Sequence, residues 1–443
     1  MKRVYAMLLA LACCLSLFGC GKTETPQAAN PTQEQLPAHQ HTFAQWALLQ
    51  AATCQQEGKE QRICTECGAV ETRKTDKLLH DLNPYSICRN CQYVAFDQDA
   101  DFVELGIPTA NWYDAGAVAN CAWDLKLWNG KLYRAAGDYD KNSGNTIIWA
   151  YDIAEQQWQY TFETSDEAIH RFAEIDGKLY APGVDPTEDW DLGNYYVLDG
   201  AKWTKVRNLP NGIHNYDMVE FDGKIFAGLG VSAPNSPVVM STDKGQTYSF
   251  VPLYKDGKQV DTTGMTYIRV YEYMIFNDQL YAYVTLDSSK DIYRFETDKM
   301  VWVGQSKGLV YNKRTNYSYF NAKFQLGDTC FLVSNHLIGV KDFADPSTAG
   351  RAVMPQNEYV SDALLADDLM YVLAYRQKDD STYQTVIYSS KTGQTGSFTE
   401  VVQFDYAVPP TSFTFDGDYF YIGMGSKHAV HEKNGMLLRV KPQ

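Results

Sequence analysis

From about residue 97 to the C-terminus, apolar and polar residues alternate with a period of two, and a short turn phrase interrupts the alternation at regular intervals. The phrase reads WNGKLY ending at Tyr133, IDGKLY at Tyr180, FDGKIF at Phe226 and FNDQLY at Tyr281. Weaker copies are LGDTCF ending at Phe331, ADDLMY at Tyr371 and FDGDYF at Phe420. Between the third residues of successive copies the steps are 47, 46, 55, 50, 40 and 49 residues. An Asn-Gly or Asp-Gly pair between alternating apolar residues is a strong hairpin signal, because both central positions need positive φ. A second hairpin follows in most repeats, as in IIWAYDIAEQQW, YYVLDGAKW and DIYRFETDKMVW. Two hairpins supply four strands, and a repeat of this length and type is the mark of a propeller blade. The pattern predicts an all-β chain with a seven-bladed β-propeller over 97–443, six or eight blades being the alternative counts. Phe102 to Leu105 is the candidate strand for closing the ring.

The first twenty residues break this pattern. Lys2 and Arg3 precede an apolar run from Ala6 to Phe18, which is too short to span a bilayer and has the form of a secretory signal. Its ending, Leu17-Phe18-Gly19-Cys20, resembles the lipobox of bacterial lipoproteins. That resemblance implies a signal peptide over 1–19, acylation of Cys20, and an exported protein anchored in the lipid bilayer at the outer face of a bacterial membrane. Two or more acyl chains hold where one does not. Residues 20–38, rich in Pro, Thr, Gln and Ala, carry too little apolar surface to offset ordering, so they read as a flexible tether.

Residues 39–95 form a small cysteine module. Its centre is Cys64-x-x-Cys67, then twenty residues, then Cys88-x-x-Cys91. A CxxC turn aims two thiolates at one point, and two such turns complete a closed tetrahedral zinc site, so these four are the expected ligands. A segment this small also needs a staple beyond its own burial. Disulfides are the competing staple in an exported chain, although the seven cysteines after Cys20 cannot all pair within one chain. The segment resembles a recurring cysteine module of bacterial surface proteins in His41-Thr-Phe43, Ala52-Thr53-Cys54, Cys64-x-x-Cys67-Gly68 and Leu79-His80-Asp81. The resemblance brings Cys54, His41 and His80 into contention as ligands. Cys121 and Cys330, far apart in the repeats, read as small buried hydrophobes.

One hairpin is more specific. Ser241-x-Asp243-x-Gly245-x-Thr247-Tyr248 resembles the Asp-box of sialidase-type propellers, and 389–395 is a degraded copy with Lys391 in place of the Asp. The motif's parts suit turn formation: the carboxylate receives turn amides and the glycine takes a left-handed conformation. The resemblance implies a peripheral, structural role and a sialidase-like or kelch-like fold.

Composition narrows the function. The chain has 443 residues, 31 of them Tyr, with 39 Lys plus Arg against 54 Asp plus Glu, a formal net charge of −15. That excess of acid argues against nucleic acid as a partner and against charge-driven docking on anionic lipid. Six positions before the third residue of each turn phrase stand Asp124, Arg171, Asp217, Glu272, Ala322, Asp362 and Thr411, and an even spacing places them on one strand face. With His214 nearby, Asp124, Arg171, Asp217, Glu272 and Asp362 are the expected ligand-binding residues at the channel mouth, for a glycan or a surface protein. The alternative is a sialidase-like glycoside hydrolase using paired carboxylates such as Asp217 and Glu272. Against it, blade starts offering only Arg171 cannot supply the arginine triad that the resemblance requires, so no catalytic residue is assigned. The oxygen-rich run Asp138 to Gly144 departs from calcium-loop spacing and reads as a solvated turn. The acidic loop Asp185 to Asp191 reads as exposed, and a monomer is expected.

Overall fold

In the computed structural model the described residues are 40–81, 88–91, 93, 102–138, 141, 143–305, 320–426 and 429–442. The signal peptide, Cys20 and the tether lie outside them, as do Asp140 and Asn142 of the oxygen-rich run. The chain divides into two compact units, 1–76 and 77–443, a boundary that falls between the two CxxC knuckles. Among the described residues no helix is long and apolar enough to cross a membrane.

The first unit holds a three-stranded antiparallel sheet, Ala47–Gln50, Gly58–Ile63 and Val70–Thr75. Its strands bury little, and side-chain pairs flank the backbone ladder. Arg62 bonds Glu71 at 2.6 Å and Arg73 bonds Glu60 at 2.7 Å, and both guanidinium groups lie over the Trp46 ring. Exposed pairs of this kind contribute little each, roughly 0.2–1 kcal/mol.

The second unit is a β-propeller of antiparallel meanders. The first meander is Leu125–Trp128, Lys131–Arg134, Ile147–Asp152 and Gln157–Glu163. Meanders two to four are linked in one fifteen-stranded sheet, but the links are sparse: Val184↔His214, then Gly230↔Arg269 and Val231↔Ile268. The fifth begins at Lys323–Leu326 and the sixth at Tyr359–Ala366. In the last, Pro410–Phe415, Phe420–Met424 and Leu437–Val440 are completed by Phe102–Gly106 from the other end of the chain, with Leu438↔Glu104 and Val440↔Phe102. Closing the ring this way covers two sheet edges at once.

The turn phrases fold as their composition requires. Asn129-Gly130, Asp176-Gly177 and Asp222-Gly223 all have positive φ, as do Asn277-Asp278 and Asp367-Asp368. Asn and Asp tolerate this region better than other side-chain-bearing residues. The long step of 55 residues has a local cause. After the third meander the chain adds Leu253–Lys255, which pairs in parallel with Lys299–Gln305, and turns back through Lys258–Gln259.

The tyrosine-rich composition is spent between the sheets. Tyr196, Tyr271, Tyr273, Tyr283, Tyr293, Tyr388 and Tyr421 are all fully buried. Each pairs a large apolar surface, of the size that contributes about 1.5–3 kcal/mol on burial, with one hydroxyl to be satisfied. Tyr273 donates its hydroxyl to Ala227 O at 2.9 Å and Tyr388 to Glu358 Oε1 at 2.6 Å.

Candidate functional site

Four of the innermost strands begin with an irregularity. The ladder shifts register at Tyr216, Tyr271, Ser361 and Thr411, immediately before Asp217, Glu272, Asp362 and Ser412. An extra residue at such a point bends the strand and re-aims the side chains beside it. Beside these points Asp217, Glu272 and Asp362 are buried in the protein.

Asp217 and Glu272 are buried, and both are engaged by basic groups. Arg171 donates Nη1 to Glu272 Oε2 at 2.5 Å and Nη2 to Glu272 Oε1 at 2.6 Å, a bidentate pairing. The same Nη1 lies 3.7 Å from Asp217 Oδ1. Lys323 donates to Asp217 Oδ2 and, at 3.0 Å, to Glu272 Oε2. Two cations and two anions thus share one buried knot. Burial alone would weaken the charge of Arg171, but Glu272 and Asp217 more than restore it, so its pKa is raised. Lys323 carries half of this neutralisation and is absent from the sequence reading, because the aligned position fell on its neighbour, Ala322.

All four acids also clasp neighbouring meanders. Asp124 Oδ2 accepts the backbone N–H of Phe172 at 2.8 Å, and burial, only partly offset by that bond, raises the Asp124 carboxyl. Asp217 Oδ2 accepts from Tyr273 N at 2.7 Å, Glu272 Oε1 from Phe320 N at 2.9 Å, and Asp362 Oδ2 from Phe413 N at 3.0 Å. In three of the four the donor stands one residue beyond the equivalent position of the next meander. His214 Nδ1 lies 2.5 Å from Asp185 Oδ1, and its ring stacks on Tyr216 at 5.3 Å. The residues expected to meet a ligand at the channel mouth are therefore occupied with the protein's own groups. Buried, charge-assisted bonds of this kind contribute roughly 1.5–3 kcal/mol each.

The Ser241–Tyr248 hairpin is built as a self-contained turn. Asp243 accepts from Thr247 N at 2.9 Å and Thr247 Oγ1 at 2.6 Å, while Ser241 Oγ accepts from Gly245 N at 2.8 Å. Bonds from the Thr247 side chain and amide hold the Asp243 carboxyl down to about 2. Gly245 has φ +83, and its carbonyl receives Tyr195 Oη at 3.0 Å and Asn208 Nδ2 at 2.8 Å. In the degraded copy Ser390 accepts from Thr392 N and Gly393 N, so the turn closes without an Asp.

Among the described residues no cysteine is joined in a disulfide. The four knuckle cysteines fall in two groups, each with its own histidine. In the first unit, donor atoms of His41, Cys64 and Cys67 lie within 4.8 Å of one another, with His41 Nδ1 at 3.2 Å from Cys67 Sγ. The knuckle turns through Gly68, which has φ +75 and donates its N–H to Cys64 O at 3.0 Å. In the second unit, His80, Cys88 and Cys91 converge within the same distance, with His80 Nδ1 at 3.3 Å from Cys91 Sγ. Burial pushes the Cys88 thiol up, but His80 and the amides of Asn90 and Cys91 outweigh it and hold it at about 6. Tyr93 stacks on His80 at 4.2 Å and bridges to Gln157 of the first meander. Sulfur and imidazole donors gathered this closely suit zinc. Cys54 is buried in the first unit. Cys121 and Cys330 are buried, and burial raises the Cys330 thiol to about 12, which makes it inert.

No family model and no curated protein matches the chain. Among solved structures it is similar to YCF48 bound to D1 peptide, at 11% identity and a TM-score of 0.45, over 79% of this chain and 97% of that one. It is similar to a PL25 ulvan lyase bound to a GlcA-Rha3S saccharide, at 13% identity and a TM-score of 0.42, over 79% and 95%. It is also similar to BamB from Moraxella catarrhalis, at 9% identity and a TM-score of 0.37, over 72% and 83%.

Proposed function

We propose that the chain is an exported lipoprotein, held to a bacterial membrane through acylated Cys20, whose seven-bladed propeller binds a glycan or protein ligand of the cell surface without catalysis. The cysteine groups each hold one structural zinc ion, His41, Cys64 and Cys67 supplying one set and His80, Cys88 and Cys91 the other. The observation that carries the non-catalytic part is the knot of Arg171, Lys323, Asp217 and Glu272. A hydrolase needs one carboxyl that can gain a proton and one that can reach a sugar carbon. Here both carboxylates are buried and held by Arg171 and Lys323, which favours a structural role over contact with a sugar. The sialidase-like reading has no comparable support.

The tether supports display of a binding surface away from the lipid. Fatty-acid labelling of the wild-type chain and of Cys20→Ala, followed by membrane fractionation, tests the anchor: label and membrane association are expected only in the wild type. A panel of fluorogenic glycosides tests the chemistry, and turnover abolished by Glu272→Gln would refute the non-catalytic reading.

A further inference from the structure

In an antiparallel meander, the starts of the first and third strands lie at the same edge as the ends of the second and fourth. At that edge of the first two meanders stand two tryptophans whose rings face solvent. Trp112, in the connection from Phe102–Gly106 to Leu125–Trp128, is 45% exposed, and Trp190, between Lys178–Pro186 and Leu192–Asp199, is 59% exposed. Their polar atoms are already spent. Trp112 Nε1 donates to Asn145 O at 3.0 Å and Trp190 Nε1 to Pro186 O at 3.2 Å. The two loops are tied together: Thr187 donates Oγ1 to Asn145 Oδ1 at 2.6 Å and its N–H to Ser165 O at 2.9 Å, while Asn145 donates to Glu163 Oε1 at 3.0 Å. What remains for a partner at each tryptophan is a ring held in place.

The charge at this edge is mostly negative, although Lys141 is exposed in the loop between Lys131–Arg134 and Ile147–Asp152. Glu163, Asp185, Glu188, Asp189 and Asp191 stand at strand ends or in loops there, and Glu167 lies buried within the strand Asp166–Ile169. The bases that approach, Lys205 and Arg207, are both drawn to Glu188, at 2.5 and 3.3 Å. Burial, then the charges of Asp185 and Asp138, push the Glu167 carboxyl up to about 7, as expected where acids accumulate faster than bases. Held indole rings stack on the C–H faces of sugars and attract ammonium groups, and a surrounding excess of carboxylate repels uronic or sulfated polymers.

We infer that Trp112 and Trp190, with the carboxylates of the same edge, form the docking site for a glycan that carries free amino groups. This rests on the reading of the chain as a binding protein, and gives that reading a place and a ligand class. The test is calorimetric titration of the detergent-solubilised full chain with four probes: a glucosamine hexamer, an N-acetylglucosamine hexamer, cellohexaose and hexalysine. The glucosamine hexamer should bind tightest. Trp112→Ala and Trp190→Ala should each weaken it about five- to tenfold, since a cation–π contact of about 1 kcal/mol corresponds to that change. Unchanged melting temperatures of the two variants would show that the loss is local. Equal binding of hexalysine, or equal binding by the tryptophan variants, overturns the inference. Binding of the acetylated or neutral hexamer alone also overturns it, while leaving the binding-protein reading in place. Cleavage of any hexamer overturns that reading itself.

Discussion

Replacing Arg171 by Met removes one of the two cations that neutralise Asp217 and Glu272. Arg171 provides both bonds of the bidentate pair to Glu272, whose side chain is 0% exposed, and a further bond to Phe320 O at 3.2 Å. The variant would leave two buried carboxylates on the single ammonium of Lys323. Breaking a buried pair by deleting one partner costs about 3–5 kcal/mol, most of it the penalty of the charge left behind. An unfolding entropy of about 2 cal/mol/K per residue gives about 0.7 kcal/mol/K for a propeller of about 340 residues, so the loss corresponds to about 4–7 °C in Tm. Thermal unfolding followed by near-UV circular dichroism at pH 7 measures this directly. Adding Glu272→Gln removes the stranded charge, so the double variant should be more stable than the sum of the two single losses predicts. A melting temperature for Arg171→Met within 1 °C of wild type, or strict additivity in the double variant, would refute the argument.

Other consequences are open to measurement. Burial raises the Asp166 carboxyl to about 6 despite bonds from Tyr196 and Asn194, so this folded pKa lies above the unfolded one. Its contribution is fully present below about pH 4 and is lost as pH rises through 6, a cost of about 3 kcal/mol by pH 8. The urea midpoint should fall between pH 5 and pH 8 in the wild type and fall less in Asp166→Asn; identical slopes would sink the assignment. Metal analysis of the full chain should return two zinc equivalents, and His41→Ala and His80→Ala should each lose one of them. A single equivalent abolished by either change would instead point to one shared site. In Asp243→Ala the amide of Thr247 should exchange with solvent at least tenfold faster while the first meander is unchanged, since Asp243 holds only its own hairpin.

The hairpins were legible because Asn and Asp beside Gly or each other favour paired positive φ, which Asn129-Gly130, Asp176-Gly177, Asp222-Gly223, Asn277-Asp278 and Asp367-Asp368 adopt, whereas in the weaker phrase at 327–328 only Gly327 does. The closing strand was legible in part, since Phe102 to Leu105 fits the alternation but nothing local names Leu437–Val440 as its partner. At the centre, the acids were found and their environment was not. A polar residue at a strand start reads as wet, whereas Asp124, Asp217 and Asp362 reach across to backbone N–H groups that only the assembled ring brings near. The bulges also defeat simple counting: in the last meander the position equivalent to Asp217 is Ser412, not Thr411. For the cysteines, the CxxC spacing paired the thiols but did not show that each pair lies beside a histidine outside it, His41 or His80. Trp112 carried no signal at all, because a solitary aromatic in a loop is ordinary until its neighbours are known.

The claim that the centre is locked by its own charges while the ligand sits on the loop edge can be read in one experiment. Hydrogen–deuterium exchange of the full chain with and without saturating glucosamine hexamer should show protection confined to the segments around Trp112, Asn145 and Thr187 to Asp191. Protection instead at 214–217 and 268–273, with none at the tryptophan loops, would contradict it.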